Sequence, residues 1–250
     1  MSGTIMFRAW MTVVLGALGV VAVACSTDSD QVISNTEVIF EIPWDGTETA
    51  RYHIVQDDVE GSGVLRLEEE NGVLVFSQTF DVPEEDVTDS VVVETDPETL
   101  RPRTVSRVID GPDGQRLCDA TYSASSVSVV QVGEDEDRTD VVDVPERSYD
   151  TWSDLFLWRT LDFRVGFEVS YRDVLSCSLS KPELLTVGLA VKEIETVTVP
   201  AGTFDAFRLE IKSGGGTQEA WFADDDSKVL LRYENGLQEW ELESFDPDAP

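Results

Sequence analysis

Chemistry in this chain would have to come from a short set of side chains. There is one histidine, His53, and there are three cysteines, Cys25, Cys118 and Cys177, against 50 carboxylates. A serine-nucleophile triad needs a histidine beside a serine held on a sharp turn. No Gly-x-Ser-x-Gly occurs, and Gly61-Ser62-Gly63 is a turn signal only. A zinc site built from one histidine and two distant cysteines is chemically poor, so His53 reads as an ordinary strand residue. Paired carboxylates can serve as acid and base on glycosides. At 50 acids in 250 residues, however, such pairs arise by chance almost everywhere. Asp224-Asp225-Asp226 and residues 134–137 are rich in oxygen, yet neither fits the D-x-[DN]-x-[DN]-G-x5-E calcium loop. No glycine-rich loop joins a strand to a helix, and neither acidic tract carries a basic cradle, so nucleotide binding is disfavoured. The reading at this level is no enzyme, no cofactor and no metal site.

Charge narrows the partners. The formal net charge is -32, with 18 basic residues. Nucleic acid needs a basic face, and anionic headgroups would be repelled. Lysine occurs only at Lys181, Lys192, Lys212 and Lys228. An acid excess with few lysines fits a saline milieu, where salt screens self-repulsion, or a coding bias toward arginine.

The cysteines divide. Residues 10–24 are an apolar run, preceded by Arg8 and followed by Cys25 and the polar Ser26-Thr27-Asp28. The run is short for a membrane span and ends in small residues, as a signal peptide does. Ala22-Val23-Ala24-Cys25 resembles a bacterial lipobox, with Ala22 where Leu or Val is usual. The reading is a signal peptide over 1–24, lipidation at Cys25, a lipid-anchored tether over 25–48 and one β domain over 49–247. The protein would then be exported and held to the cell envelope by its own lipid anchor. Ser26 is compatible with outer-membrane sorting in a diderm host; in a monoderm host the anchor would sit in the outer leaflet of the cell membrane. Cys118 and Cys177 remain as an even pair outside the cytosol, open either to a disulfide or to two buried thiols.

The elements that must position these residues are strands. From 186 onward, Val187, Leu189 and Val191 alternate with small or polar residues, and Phe207, Leu209 and Ile211 oppose Arg208, Glu210 and Lys212. The phase slips near Lys192-Glu193, where a β-bulge would bend the strand. Asn71-Gly72 and Asn235-Gly236 are hairpin signals, and Gly61-Ser62-Gly63 marks the end of the first strand. One stretch breaks the period of two. Trp152, Leu155, Phe156, Trp158 and Leu161 predict a helix over 152–161, about three turns long, capped by Ser153 or Thr151. So apolar a helix must pack on a sheet face. Trp152, Phe156 and Trp158, with Phe207, Leu209 and Ile211 as an apolar floor, are the candidate lining of a hydrophobic groove. The same aromatic residues could instead be a plug that fills a small barrel.

Val199-Pro200-Ala201-Gly202-Thr203-Phe204-Asp205-Ala206-Phe207, Trp221-Phe222-Ala223-Asp224 and Val229-Leu230-Leu231-Arg232-Tyr233-Glu234 resemble an uncharacterised family of exported bacterial β proteins. The connector Asp96-Pro97-Glu98-Thr99-Leu100-Arg101-Pro102 and the segment Asp154-Leu155-Phe156-Leu157-Trp158-Arg159 are similar to that family too. Its members look like the LolA/LppX half-barrel superfamily. Over residues 49–245 the resemblance implies a mainly β fold: a strongly curved antiparallel sheet with one short helix on its concave side. It also implies a lipid-like ligand and a carrier or binder of hydrophobic molecules. The alternative is a structural or protein-interaction lipoprotein whose sheet edge or acidic surface docks a partner.

Overall fold

The computed structural model describes residues 38–133 and 137–249. The signal-peptide reading of 1–24, Cys25 and its lipobox, and the tether up to 37 lie outside the described residues, as does 134–136 of the acidic loop.

The strands form two runs. The first is β1 (Glu48–Gln56), β2 (Val59–Glu70), β3 (Val73–Val82), β4 (Val87–Thr95), β5 (Pro102–Gly111), β6 (Gly114–Tyr122), β7 (Ser126–Val132) and β8 (Arg138–Asp143). The second is β9 (Ser148–Asp150), β10 (Glu168–Leu175), β11 (Glu183–Val199), β12 (Gly202–Ser213), β13 (Gly216–Ala223), β14 (Leu230–Glu234) and β15 (Gln238–Asp246). Sequence neighbours pair as antiparallel hairpins within each run. The exception is β9, which lies parallel to β10 and departs from the all-antiparallel expectation. Pairing of β1 with β15 fuses the runs into one sheet of 15 strands, with β8 and β9 at its edges.

Connectivity requires that sheet to be strongly curved. A flat sheet of 15 strands would hold its edges about 67 Å apart at roughly 4.8 Å per spacing. Yet β8 ends at Asp143 and β9 begins at Ser148, a gap that an extended chain spans in about 19 Å at most. The edges therefore curl toward each other around an interior. The ladder does not close. Side chains bridge the seam instead: Tyr122 of β6 donates to Asp150 of β9, and the others reach the segment that follows β10. Arg107 donates to the Cys177 carbonyl (2.7 Å) and Gln131 to that of Ser178 (2.6 Å). Arg138 donates to the Ser180 carbonyl, and Cys118 is disulfide-bonded to Cys177, with Cα atoms 5.6 Å apart.

Turn chemistry sets the register. Asn71 and Gly72 both adopt positive φ, as a two-residue hairpin turn demands. The first hairpin turns at Asp57-Asp58, also at positive φ, and not at Gly61-Ser62-Gly63, which lies inside β2. Gly63 stands in the ladder because a Cβ there would meet the Ile54 Cδ1 at 2.8 Å. The Asn235-Gly236 loop is wider than two residues, since Glu234 pairs with Glu239. The Asn235 side chain closes it by accepting from the Leu237 and Gln238 amides (2.9 and 2.8 Å). A register shift between Val191 and Glu193 marks the bulge of β11.

The interior holds the helical segment. It comprises a 3-10 turn (Thr151–Ser153), one α turn, α1 (Asp154–Leu157), and a second 3-10 turn (Trp158–Thr160), rather than the continuous helix expected. Residues 153–161 are all buried, so the backbone follows the interior, and tight 3-10 turns are a common way to end a helix. The cap also moves. Asp150 accepts from the Trp152 amide (3.0 Å), because Thr151 donates to Asp173 and Ser153 to the Asp150 carbonyl. At its far end the plug is bolted by Arg159, which meets Glu48 at 2.7 Å with both side chains buried. Arg159 also donates to the Ser227 and Lys228 carbonyls. Residues 38–47, read as the end of a tether, lie against this plug: Phe40 and Glu41 donate to the Thr160 carbonyl, and Trp44 packs edge-on to Phe76.

Candidate functional site

Inward-facing positions of the strands are mostly apolar by alternation, and four of the polar exceptions belong together. Gln78 stands between Phe76 and Phe80 on β3, and Asp89 between Val87 and Val91 on β4. Arg107 stands between Val105 and Ile109 on β5, and Asp173 between Tyr171 and Leu175 on β10. All four converge on one cavity of about 340 Å³. Its mouth is framed by hairpin ends: Val82 and Val87, Gly214 and Gly216, Asn235 and Leu237. Its apolar wall includes Phe80, Ile109, Leu175, Leu185, Val187 and Ile211. Trp152, Trp158, Tyr233 and Trp240 surround its inner part, together with the carboxylates of Asp154 and Asp173.

The polar side chains are mostly spoken for. Arg107 makes a two-pronged ion pair with Asp89 (2.9 and 2.6 Å) and lies 4.3 Å over the Trp152 ring. Gln78 donates to the Trp152 carbonyl. Tyr171 receives the Trp158 indole N–H (2.9 Å) and donates to Asp154 (2.5 Å). Thr151 donates to Asp173 Oδ2 (2.5 Å), while Asp173 Oδ1 is buried without a partner. Behind this pair, Tyr122 donates to Asp150 (2.5 Å).

Burial dominates the electrostatics. It pushes Asp173 up to about 7, helped by the nearby charge of Asp150, and pushes Asp150 itself to about 6. Asp154 is driven well above the usual carboxylate range by burial first and by repulsion from Asp173 second. Water-starved carboxylates of this kind can hold a proton at near-neutral pH or accept a cation. No histidine or free cysteine lines the cavity beside them. His53 is on β1, opposite Ser62 and Glu241.

The six residues expected to line a groove divide evenly. Trp152, Trp158 and Ile211 line the cavity. Phe156 does not, because it stacks on Phe76 with centroids 4.4 Å apart. Phe207 packs against Phe163 at 5.2 Å, and Leu209 is wholly buried. One face of β12 does carry all three floor residues, but the cavity reaches only the end nearest Gly214. Sequence reading passed over Asp154, Asp173, Tyr233 and Trp240. The available signal for Asp173 was its place in the stripe Val169, Tyr171, Asp173, Leu175, a charge where alternation demands an apolar residue.

No curated protein matches the sequence. Among solved structures, the fold is similar to a β-barrel-like protein of domain of unknown function DUF1849 from Brucella abortus. The TM-score is 0.54 at 9% identity, over 80% of this chain and 97% of that one. A DUF1089 family protein from Pseudomonas aeruginosa gives a TM-score of 0.38 at 11% identity, over 77% and 91%. A Bacteroides fragilis protein with a YmcC-like fold gives 0.32 at 12%, over 83% and 99%. Residues 40–238 match a family described as Protein of unknown function (DUF3108). The match takes in the plug and every cavity residue but Trp240, stopping at the start of β15, and the chain belongs to the DUF3108 family.

Proposed function

We propose that this chain is an exported, Cys25-anchored, non-enzymatic binder of hydrophobic molecules. The single observation that carries the reading is the cavity of about 340 Å³, open at the hairpin end and walled by apolar side chains. Ligand sites are concave, mostly apolar and marked by a few placed polar groups, and this cavity has each property. An aliphatic chain entering past Val82 and Leu237 would gain roughly 0.8 kcal/mol for each CH₂ removed from water. The anchor would hold the domain at a lipid surface that its own charge of -32 does not favour.

The test is a titration of the purified domain with aliphatic chains of graded length, followed by tryptophan fluorescence and native mass spectrometry. Saturable one-to-one binding that tightens with chain length is expected. A folded protein that takes up no aliphatic compound at high micromolar concentration would overturn the reading. Separately, intact-mass analysis of membrane-extracted protein should show a diacylglycerol adduct on an N-terminal Cys25.

A second reading rests on another surface. Leu117, Val130, Val132 and Val141 share the outer face of β6, β7 and β8 and are exposed, beside the unpaired edge of β8. Such an edge can accept a strand from a partner protein. Val141→Lys would abolish that docking and leave aliphatic binding unchanged.

A further inference from the structure

Within the binder reading, on which this step rests, the inner end of the cavity has a chemistry of its own. The ion pair of Arg107 with Asp89 cancels itself, leaving Asp154 and Asp173 as the acidic groups on the cavity wall without a basic partner. Asp173 is 1% exposed, and its Oδ1 has no partner. An orphaned buried acceptor on a cavity wall is costly unless something enters to satisfy it. The same cavity is lined by aromatic rings: Trp158 and Tyr233 lie 6.1 Å apart, Tyr233 meets Trp240 edge-on at 5.8 Å, and Trp158 reaches Asp154 through Tyr171. Carboxylates inside an aromatic enclosure match one class of guest, since ring faces attract organic cations most strongly when water is excluded.

We infer that the cavity takes an amphiphilic organic ammonium, with its cationic head at the inner end beside Asp154 and Asp173 and its apolar chain running out past Val82 and Leu237. A fatty carboxylate of the same length would bring a further negative charge beside those acids. An uncharged alcohol would meet neither attraction nor repulsion. The groups facing Asp173 are Asp150 at the end of β9, with Tyr122 of β6 bonded to it, and Thr151 and Asp154 on the plug. Tyr171 of β10 and the Arg107–Asp89 pair across the cavity complete the set. None of these is a free cation that would already neutralise it. Burial holds Asp173 near 7, so the head group should be gripped above that pH and released as the acid takes its proton.

The experiment compares three probes with the same chain, dodecylammonium, 1-dodecanol and dodecanoate, each below its micelle-forming or solubility limit. Binding is read by tryptophan fluorescence in 1 M salt, where a screening length of about 3 Å removes attraction to the acidic surface. At pH 8 the ammonium should bind at least about tenfold more tightly than the alcohol, and the carboxylate more weakly than either. That preference should shrink as the pH falls to 5.5. Asp173→Asn and Asp154→Asn should each reduce it, read as the ratio of ammonium to alcohol affinity within the same variant. If either variant fails to fold, the pH profile of the unaltered protein decides the question. Equal affinities, a preference for dodecanoate, or an ammonium preference indifferent to pH and to both variants would overturn the inference and leave the binder reading standing. If none of the three binds, both fall.

Discussion

The two ends of the interior are built from the same kinds of residue and filled in opposite ways. At the far end, Phe76 and Phe156 stack face to face, Trp44 caps Phe76 edge-on, and Phe163 is wedged against Phe207 and Phe222. At the hairpin end, Trp152, Trp158, Tyr233 and Trp240 are just as large, yet they surround space. The far end holds a buried polar pair as well, Glu48 with Arg159, but around the cavity more of the inward stripe is polar. On β3 the far-end positions Leu74 and Phe76 are apolar, whereas Gln78 toward the mouth is polar and reaches for the Trp152 carbonyl. Asp89, Arg107 and Asp173 do the same on their own strands. A polar side chain on an inward face must be carried to a partner, and side chains drawn to partners cannot also interdigitate. Dense packing at one end gives stability, and incomplete packing at the other gives a site.

The comparison breaks most visibly at Phe156. If the far end is the solid core, Phe156→Ala should destabilise the domain by about 3–5 kcal/mol, the usual cost of deleting a buried phenyl ring. Urea denaturation checks this. A loss below about 1 kcal/mol would mean that the far end is loosely filled as well.

Next comes the seam at the cavity end, where the Cys118–Cys177 disulfide closes a sequence separation of 59. Loop entropy alone sets its contribution at about 4 kcal/mol, with 2–4 typical in practice. Replacing both cysteines with alanine should lower Tm by about 10 °C, given roughly 2–4 °C per kcal/mol for a domain of this size. Hydrogen exchange sharpens the point. It should accelerate in β6 to β8 and in the 176–181 segment, and leave β2 and β3 unchanged.

Much of this division was legible in the residues. Period-two alternation located the strands, Asn71-Gly72 set a hairpin, and the slip at Lys192-Glu193 marked the bulge of β11. The aromatic segment at 152–161 declared, by being too apolar for a surface, that it must pack on a sheet face, while groove and plug stayed open. Three things were not legible. The short parallel strand β9 has three residues, too few to show a period. The cap moved off Thr151 because its hydroxyl had a distant partner, and sequence does not reveal a bond from Thr151 to Asp173. The site itself was hidden by abundance. Among 50 acids no single aspartate draws notice, unless one asks which of them fall on inward-facing positions.

A smaller effect follows from those inward acids. Asp150 and Asp173 have folded values near 6 and 7, and both are raised above the unfolded carboxylate value. Between about pH 4 and 7 the folded state therefore binds more protons than the unfolded chain. Their contribution to stability is fully present below pH 4 and is lost as the pH rises through 6 to 7, at up to about 1.4 kcal/mol per pH unit for each group. Surface repulsion acts in the same direction, so the decisive measurement is the difference made by Asp173→Asn. That variant should flatten the decline of Tm between pH 5 and 8. An unchanged slope would show that Asp173 is not desolvated in the folded protein.

The smallest expected loss of stability is the most informative, because it concerns a residue on the same plug as Phe156. Trp152 is half-buried, its indole N–H has no partner, and one face of its ring lies under Arg107. Its other neighbours include the cavity, so Trp152→Ala deletes a wall rather than a piece of core. It loses the guanidinium–ring attraction, about 0.5–1 kcal/mol at a partly exposed position, and part of its contact with the core, offset by removal of a buried, unpartnered indole N–H. The backbone carbonyl that receives Gln78 survives the substitution. Denaturation should therefore move by about 1 kcal/mol or less, while the affinity for an aliphatic probe falls by about tenfold as the chain loses one side of its enclosure. Phe156→Ala should show the reverse order, a large loss of stability with affinity per folded molecule nearly unchanged. If the two variants instead destabilise equally and neither alters binding, the cavity is only a packing defect, and the aromatic residues at both ends serve one continuous core.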